Sequence, residues 1–380
     1  MTALALPWDL PRRKALEQAA LALPEGVHDP REALAHVAAA GLLRECVPAA
    51  YGGVDERVQL RALCTVRAAL AYRDPLYDLM FALQGLGSYP VTFAGSKSQR
   101  EALLPAIVRG EAIGAFALTE PEAGSDVSAI RTTARRTGDG YVLDGEKTFI
   151  SNAGVATSYL LFARTGEHPR RGLSAFLVPA TAPGLTVWPQ KLLTGEHPIG
   201  TLRLQGVVLP EEARVGAEGE GMAIALRTLE LFRPSVGAAA VGMARRALHE
   251  ARSHVRSRVQ FGKPICEFQA TQLALAEMAT LVESAALLVE RAAFLIDGGA
   301  RATLESSMAK LHATETAQQV IDRALQLHGG SGLLAGSVVE RLYREVRALR
   351  IYEGTSEIQK LIIARELLRS EEEQRCSSPT

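Results

Sequence analysis

The sequence predicts an α+β protein in three parts. An N-terminal helical domain spans residues 1–111, a middle β-barrel domain spans 112–218, and a C-terminal four-helix bundle spans 219–370, ahead of a polar tail over 371–380. Three observations carry this reading. Before Ala112, apolar residues recur at helical spacing and no strand-like alternation occurs. From there the chain turns to short segments rich in β-formers, separated by glycine- and proline-bearing turns. From Gly221 the helical runs return, long enough to pack antiparallel as a bundle.

In order, Arg13–Leu23 is an alanine- and leucine-rich helix ended by Pro24, and His36–Leu43 is stopped by Pro48 and the turn Tyr51-Gly52-Gly53. Val58–Ala71, Asp78–Leu86 and Gln99–Val108 continue the pattern, with Gly110 as a stop. Tyr141–Gly145, Tyr159–Ala163, Ala175–Pro179, Leu185–Trp188 and Leu202–Leu204 read as strands of a barrel, with a sandwich as the alternative. Gly221–Ser257 is helical with Pro234 as a kink or a start, followed by Phe268–Leu295, Arg301–His328, Val338–Arg347 and a last helix after Gly354. The tail is polar and expected to be disordered.

The chain has 380 residues, room for two or three domains. Apolar residues make up 47%, charged residues 22%, and the net charge is zero, which argues against a nucleic-acid binder. Four scattered cysteines, without C-x-x-C spacing, read as reduced thiols of an intracellular protein. The eight histidines show no metal-ligand spacing, so no metal is expected. Met1–Leu10 is apolar but lacks the marks of a signal peptide, and no apolar run is long enough for a membrane span, so a cytoplasmic location is expected.

Five stretches can carry chemistry. In Arg350–Gln359, Glu353 falls on a turn just before a helix, beside Gly354, which marks a tight backbone or a close ligand. Thr355 or Ser356 caps that helix, which buries Ile358, Leu361, Ile362 and Leu368. A carboxylate so placed suits proton abstraction, and it equally suits a solvated turn. Phe116–Asp126 is a loop of hydroxyls and small residues, either a cradle for a phosphate or ring edge or a plain polar loop. Lys147–Ala153 reads as a strand with alternating faces. Arg258–Ile265 holds a guanidinium suited to a pyrophosphate, or a surface arginine at a helix end. Gln326–Gly332 is a glycine loop open to an anion.

These stretches resemble, in order and spacing, the signatures of the acyl-CoA dehydrogenase family: T-E-x-x-A-G-S-D, K-x-[WFY]-I-[ST]-N-[AG], R-x-Q-F-G-x-P-I, Q-x-x-G-G-x-G and I-Y-E-G-T-x-E-I-Q. The resemblance implies FAD as cofactor and Glu353 as the catalytic base. It implies that Thr119 bonds the flavin ring, that Ser125 meets the pyrophosphate and the acyl-CoA, that Phe149 flanks the isoalloxazine and that the Ser151 hydroxyl bonds flavin N5. It adds Phe116, Leu118, Gly124, Ile150, Gln260, Phe261, Gln269, Gly329, Gly330, Thr355 and Glu357 as cofactor contacts, and Glu230, Arg233 and Gly354 as substrate contacts. Arg258 and Gln326 are expected to reach the flavin of a neighbouring subunit, which implies a homo-oligomer, a dimer of dimers. An electron-transferring flavoprotein is the implied electron acceptor.

Some stretches depart from the family. Lys191–Leu204 does not follow L-G-x-R-x-S/T, and Glu345 stands where an aspartate is usual. Some members carry the base on an earlier helix, at a position matching Phe232, which cannot be a base, two residues from Glu230. The expected reaction takes the α-proton of an acyl-CoA to Glu353 and the β-hydride to flavin N5, giving the trans-2-enoyl thioester. Burial raises the base's pKa and a helix N-terminus lowers it, and the sequence leaves that balance open. Asp78–Leu83 is expected to close the acyl pocket, with Ala82 leaving room and Phe81 taking it. Three rivals are a dehydrogenase of carrier-protein thioesters, which the Lys191–Leu204 stretch keeps open, a flavin monooxygenase, which Glu353 argues against, and a non-catalytic flavoprotein that binds DNA or a partner, which the zero net charge and Glu353 argue against.

Overall fold

The computed structural model describes residues 10–193, 195 and 197–377. Five helices come first: α1 (Leu10–Leu21), α2 (Pro30–Ala39), α3 (Leu60–Arg73), α4 (Pro75–Ala94) and α5 (Lys97–Val108). The α4 helix begins earlier than the apolar pattern indicates, because Asp74 caps it by accepting from Leu76 N at 2.9 Å and Pro75 sits in its first turn. Ser96 and Gln99 form a reciprocal capping box on α5.

Eight strands follow: β1 (Gly114–Ala117), β2 (Thr133–Thr137), β3 (Gly140–Ser151), β4 (Ser158–Arg164), β5 (Leu173–Pro179), β6 (Leu185–Pro189), β7 (Ile199–Pro210) and β8 (Arg214–Val215). They form one mixed sheet in the order β6-β7-β3-β2-β4-β5-β8, with β1 pairing β4 in parallel. The expected barrel is realised as this sheet, wrapped around its own core of Tyr141, Leu143, Ile150, Tyr159, Phe176, Leu202 and Val207. The strands β1, β2 and β8 were not legible in the sequence.

The last part holds α6 (Gly221–Ser257), a short hairpin of β9 (Val259–Gln260) and β10 (Lys263–Pro264), α7 (Gln269–Asp297), α8 (Thr303–His328), α9 (Val338–Leu349) and α10 (Ser356–Ser377). The α8 helix packs against α6, α7, α9 and α10, so it is the axis of the bundle. Pro234 does not start a helix here but lies buried inside α6. The α10 helix runs on to Ser377, so the tail expected to be disordered is helical that far, while residues 378–380 lie outside the described residues. So does Met1–Asp9, the bulk of the stretch read as no signal peptide.

The helices before and after the sheet share one core. At Gly242 of α6 an added Cβ would meet Ala68 O of α3 at 2.1 Å, so the two helices touch backbone to backbone. Asp297, the last residue of α7, accepts from Leu60 N at 2.6 Å and from Arg61 N at 3.0 Å. The bundle thereby caps the N-terminus of α3. No helix among the described residues is long and apolar enough to cross a membrane.

Candidate active site

Glu353 lies on the turn between α9 and α10 with a φ of 53°, in the left-handed region that non-glycine residues avoid, and Gly354 follows at 91°. An added Cβ at Gly354 would stand 2.5 Å from Gln359 Nε2, so glycine is needed for space as well as for φ. Surrounding bonds hold the turn. Lys310 Nζ donates to Gly354 O at 2.8 Å, and Gln359 Nε2 donates to Gly354 O at 3.0 Å and Glu353 O at 3.3 Å. Glu315 Oε1 accepts from Arg350 Nε at 2.9 Å and Ser356 Oγ at 2.5 Å, clasping the turn from α8. Thr355 caps α10 by accepting from Ile358 N at 3.3 Å.

The residue is half-buried, but Oε2 of its carboxylate is sealed from solvent without a hydrogen-bond partner. Burial raises its pKa above the ordinary carboxylate range, although Arg67, Lys310 and Arg233 oppose the shift and Asp78 adds to it. Burial is the largest of these causes, and the net shift is upward. The same burial pushes Lys310 down to about 8. Arg67 binds Asp78 in a fork, Nε to Oδ1 at 2.8 Å and Nη2 to Oδ2 at 2.9 Å, and its Nη1 donates to Ser235 Oγ at 2.9 Å. Burial works against the Arg67 charge, and Asp78, with Tyr352 and Glu353, more than restores it. The α3, α4 and α6 helices thus join beneath the base. Arg233 is buried, and that burial pulls its pKa below the ordinary guanidinium value although Glu230 and Glu353 oppose the shift. Glu230 itself accepts from Thr303 Oγ1. Phe232 is buried and its ring fills the space over Gly85.

A second group gathers at the mouth of the sheet. Lys147 Nζ donates to Glu120 Oε1 at 2.8 Å and Leu118 O at 3.1 Å, and Glu120 also accepts from Arg131 N and Thr132 N. Burial alone would raise Glu120, but Lys147 and these bonds bring it below the ordinary range. This pair pins the base of the loop, and Thr148 N donates to Thr119 O at 3.0 Å. The tip stays open, with Gly124 and Ser125 exposed and nothing near an added Cβ at Gly124. Phe149 is 57% exposed with a φ of 55°, and Gln190 Oε1 accepts from its N–H at 3.3 Å. Ser151 Oγ stands 2.8 Å from His197 Nε2. Ile150 points its side chain into the sheet core, which leaves only its backbone to face a cofactor. Leu118 and Phe116 pack inward, Phe116 against Phe162 with ring centroids 5.0 Å apart.

The remaining residues stand where α6 and α8 end. His254 and His328 stack there at 4.3 Å, which brings the Arg258 segment beside Gln326, Gly329 and Gly330. Arg258, Gln260, Gln269, Gln326 and both glycines are exposed, and Phe261 is 93% exposed on its hairpin with a φ of 51°. Glu357 is exposed on the first turn of α10.

The sites fit an FAD. An exposed ring on a pinned left-handed residue offers a flat ligand a stacking face, the open loop tip offers free N–H groups, and Arg258 offers an unshielded fork of donors. Sequence reasoning missed Lys310, the Arg67–Asp78 pair, the Glu120–Lys147 pair and His197. For Lys310 one signal existed: it stands in the small-residue stripe of Ser306, Ser307, Ala313, Thr314 and Ala317 that α8 buries.

Family profiles match in order: "Acyl-CoA dehydrogenase, N-terminal domain" over residues 12–111, the middle domain over 115–207 and the C-terminal domain over 219–368. Cyclohexane-1-carbonyl-CoA dehydrogenase of Geobacter metallireducens is 39% identical to this chain, over 87% of each. Butyryl-CoA dehydrogenase from Megasphaera elsdenii superposes with a TM-score of 0.89 at 31% identity, covering 96% of this chain and 100% of its own. The prolyl acyl carrier protein oxidase AnaB superposes with a TM-score of 0.88 at 30% identity, covering 95% of this chain and 100% of its own. With the same domains in the same order, and such identity over most of its length, the chain belongs to the acyl-CoA dehydrogenase family, the FAD-dependent oxidoreductases that act on acyl-CoA.

Proposed function

We propose that this protein converts an acyl-CoA thioester to the trans-2-enoyl-CoA with Glu353 as the base. The observation that carries the reading is the Glu353 carboxylate, whose Oε2 is sealed and unpartnered on a turn pinned from α8. A base held this way meets a substrate proton at no cost in broken hydrogen bonds. FAD, when bound, supplies the hydride acceptor. Thr119, Ser125, Phe149 and Ser151 hold it from one subunit, and Arg258 and Gln326 from a neighbour. In this reading the Glu353 N–H would donate to the thioester carbonyl, which would acidify the α-proton. Arg233 and Glu230 stand at the substrate side. Exposed apolar residues on α10 support a homo-oligomer, read as a dimer of dimers. The electrons pass to an electron-transferring flavoprotein in the cytoplasm.

The test is anaerobic flavin bleaching with a panel of acyl-CoA thioesters. Glu353→Gln keeps FAD and fold but bleaches at least about 10²–10⁴-fold more slowly. Glu230→Gln, the matched control, bleaches at a rate near the parent's. The reverse result moves the base to α6.

A second reading replaces CoA by a carrier protein. Two residues of the departing stretch touch α9, with Gly195 N donating to Glu345 Oε1 at 3.0 Å and Leu193 O accepting from Arg344 Nη1 at 3.3 Å. The likeness to AnaB supports the same reading. Bleaching by carrier-bound thioesters, with none by free acyl-CoA, selects it.

A further inference from the structure

His197 belongs to the stretch that departs from the family pattern, and none of the roles above uses it. Its Nε2 stands 2.8 Å from Ser151 Oγ. One residue on, Pro198 O accepts from Asn152 N at 2.7 Å, so this loop grips the end of β3 with a side chain and with its backbone. Ser151 lies between two left-handed residues, Phe149 at 55° and Asn152 at 63°. Phe149 N is held by Gln190 Oε1, and Asn152 Nδ2 donates to Gly114 O at 2.9 Å. With the backbone fixed on both sides, the contact to His197 holds the Ser151 Oγ in place, and the freedom left is the rotation of its hydroxyl proton.

A serine hydroxyl has one proton and two lone pairs. An imidazole that accepts from Ser151 consumes that proton, whereas one that donates occupies a lone pair and leaves the proton to point elsewhere. Burial pushes His197 down to about 4, so at neutral pH the ring is uncharged and carries a single N–H. The loop is also tied to α9 through Glu345 and Arg344, so the imidazole does not swing freely.

We propose that His197 is a positioning residue for the cofactor, donating from Nε2 to Ser151 Oγ and so turning the serine proton toward the ring of bound FAD. This rests on the reading above that Ser151 faces the flavin. The departing stretch is then part of the flavin site, held against the strand that presents it.

The experiment strips FAD from the purified protein, adds it back, and measures its Kd and the flavin absorption spectrum. Four variants are compared with the parent: Ser151→Ala, His197→Leu, His197→Gln and the double Ser151→Ala/His197→Leu. Ser151→Ala and His197→Leu are each expected to weaken FAD up to about tenfold, the size of one hydrogen bond, and to shift the flavin band in the same direction. His197→Gln keeps a donor amide and stays within about threefold of the parent. The double variant matches Ser151→Ala, because His197 acts through that hydroxyl. If Ser151→Ala changes neither Kd nor spectrum, Ser151 does not face the flavin and the underlying reading falls. If Ser151→Ala acts but His197→Leu does not, or the two effects add in full, the reading stands and the proposal is overturned.

Discussion

Glu353 Oε2 has no hydrogen-bond partner, and burial raises its pKa, so its charge state sets both rate and stability. Proton abstraction needs the ionised form. Flavin reduction at saturating thioester should therefore slow as pH falls, along a limb centred above the ordinary glutamate value of 4.5, and stopped-flow reduction across pH reads it. The stability effect has the opposite sense. A carboxyl group whose folded pKa exceeds its unfolded one binds its proton more tightly when folded. Stability is then lost as pH rises from the unfolded to the folded pKa, and stays lower above it. Glu353→Gln should melt higher than the parent at pH 8, and the gain should shrink as pH falls through the raised pKa and vanish below the unfolded one. A gain equal at every pH would sink this electrostatic account. Glu353 was legible because turn, glycine and cap are neighbours in sequence. Lys310 was not, because its partner carbonyl lies 44 positions away and only the packing of α8 against the turn joins them. His197 showed itself only as a break in a pattern.

At the scale of elements, the Arg67–Asp78 fork ties α3 to α4, and Ser235 extends it to α6. Both partners are buried, so removing one leaves an uncompensated charge inside the protein. Arg67→Met or Asp78→Leu alone should cost about 3–5 kcal/mol in the first denaturant transition, and the pair together should recover most of it. Independent, additive losses would mean that the two do not act as a unit. This pair escaped the sequence reading because Arg67 sits in a helical run that reads as ordinary, with a proline break between it and Asp78. The last helix misled in another way. Its apolar stripe was expected to be buried, yet Leu361 is 66% and Leu368 64% exposed, since nothing among the described residues covers them. Periodicity identifies an apolar face but not the molecule that covers it.

For the whole molecule, the order of helices, sheet and helices was legible because the hydrophobic period changes at each boundary. The strand β1 was not, because Gly-Ala-Phe-Ala is a weak β signal and it pairs in parallel with β4, more than a hairpin away. The exposed Leu361, Leu368 and Phe261 are the surface on which the proposed homo-oligomer rests. Light scattering should give a dimer of dimers, and Arg258→Ala should lose FAD during gel filtration while the parent keeps it. A monomer holding a full complement of flavin would end that reading. The Asp297 carboxylate across the start of α3 has a consequence for how such a chain is built. A ribosome releases the N-terminal helices long before α7 exists, so the first amides of α3 have no cap until most of the polypeptide has emerged. The head of the protein is completed from its far end, and its last bonds wait on synthesis.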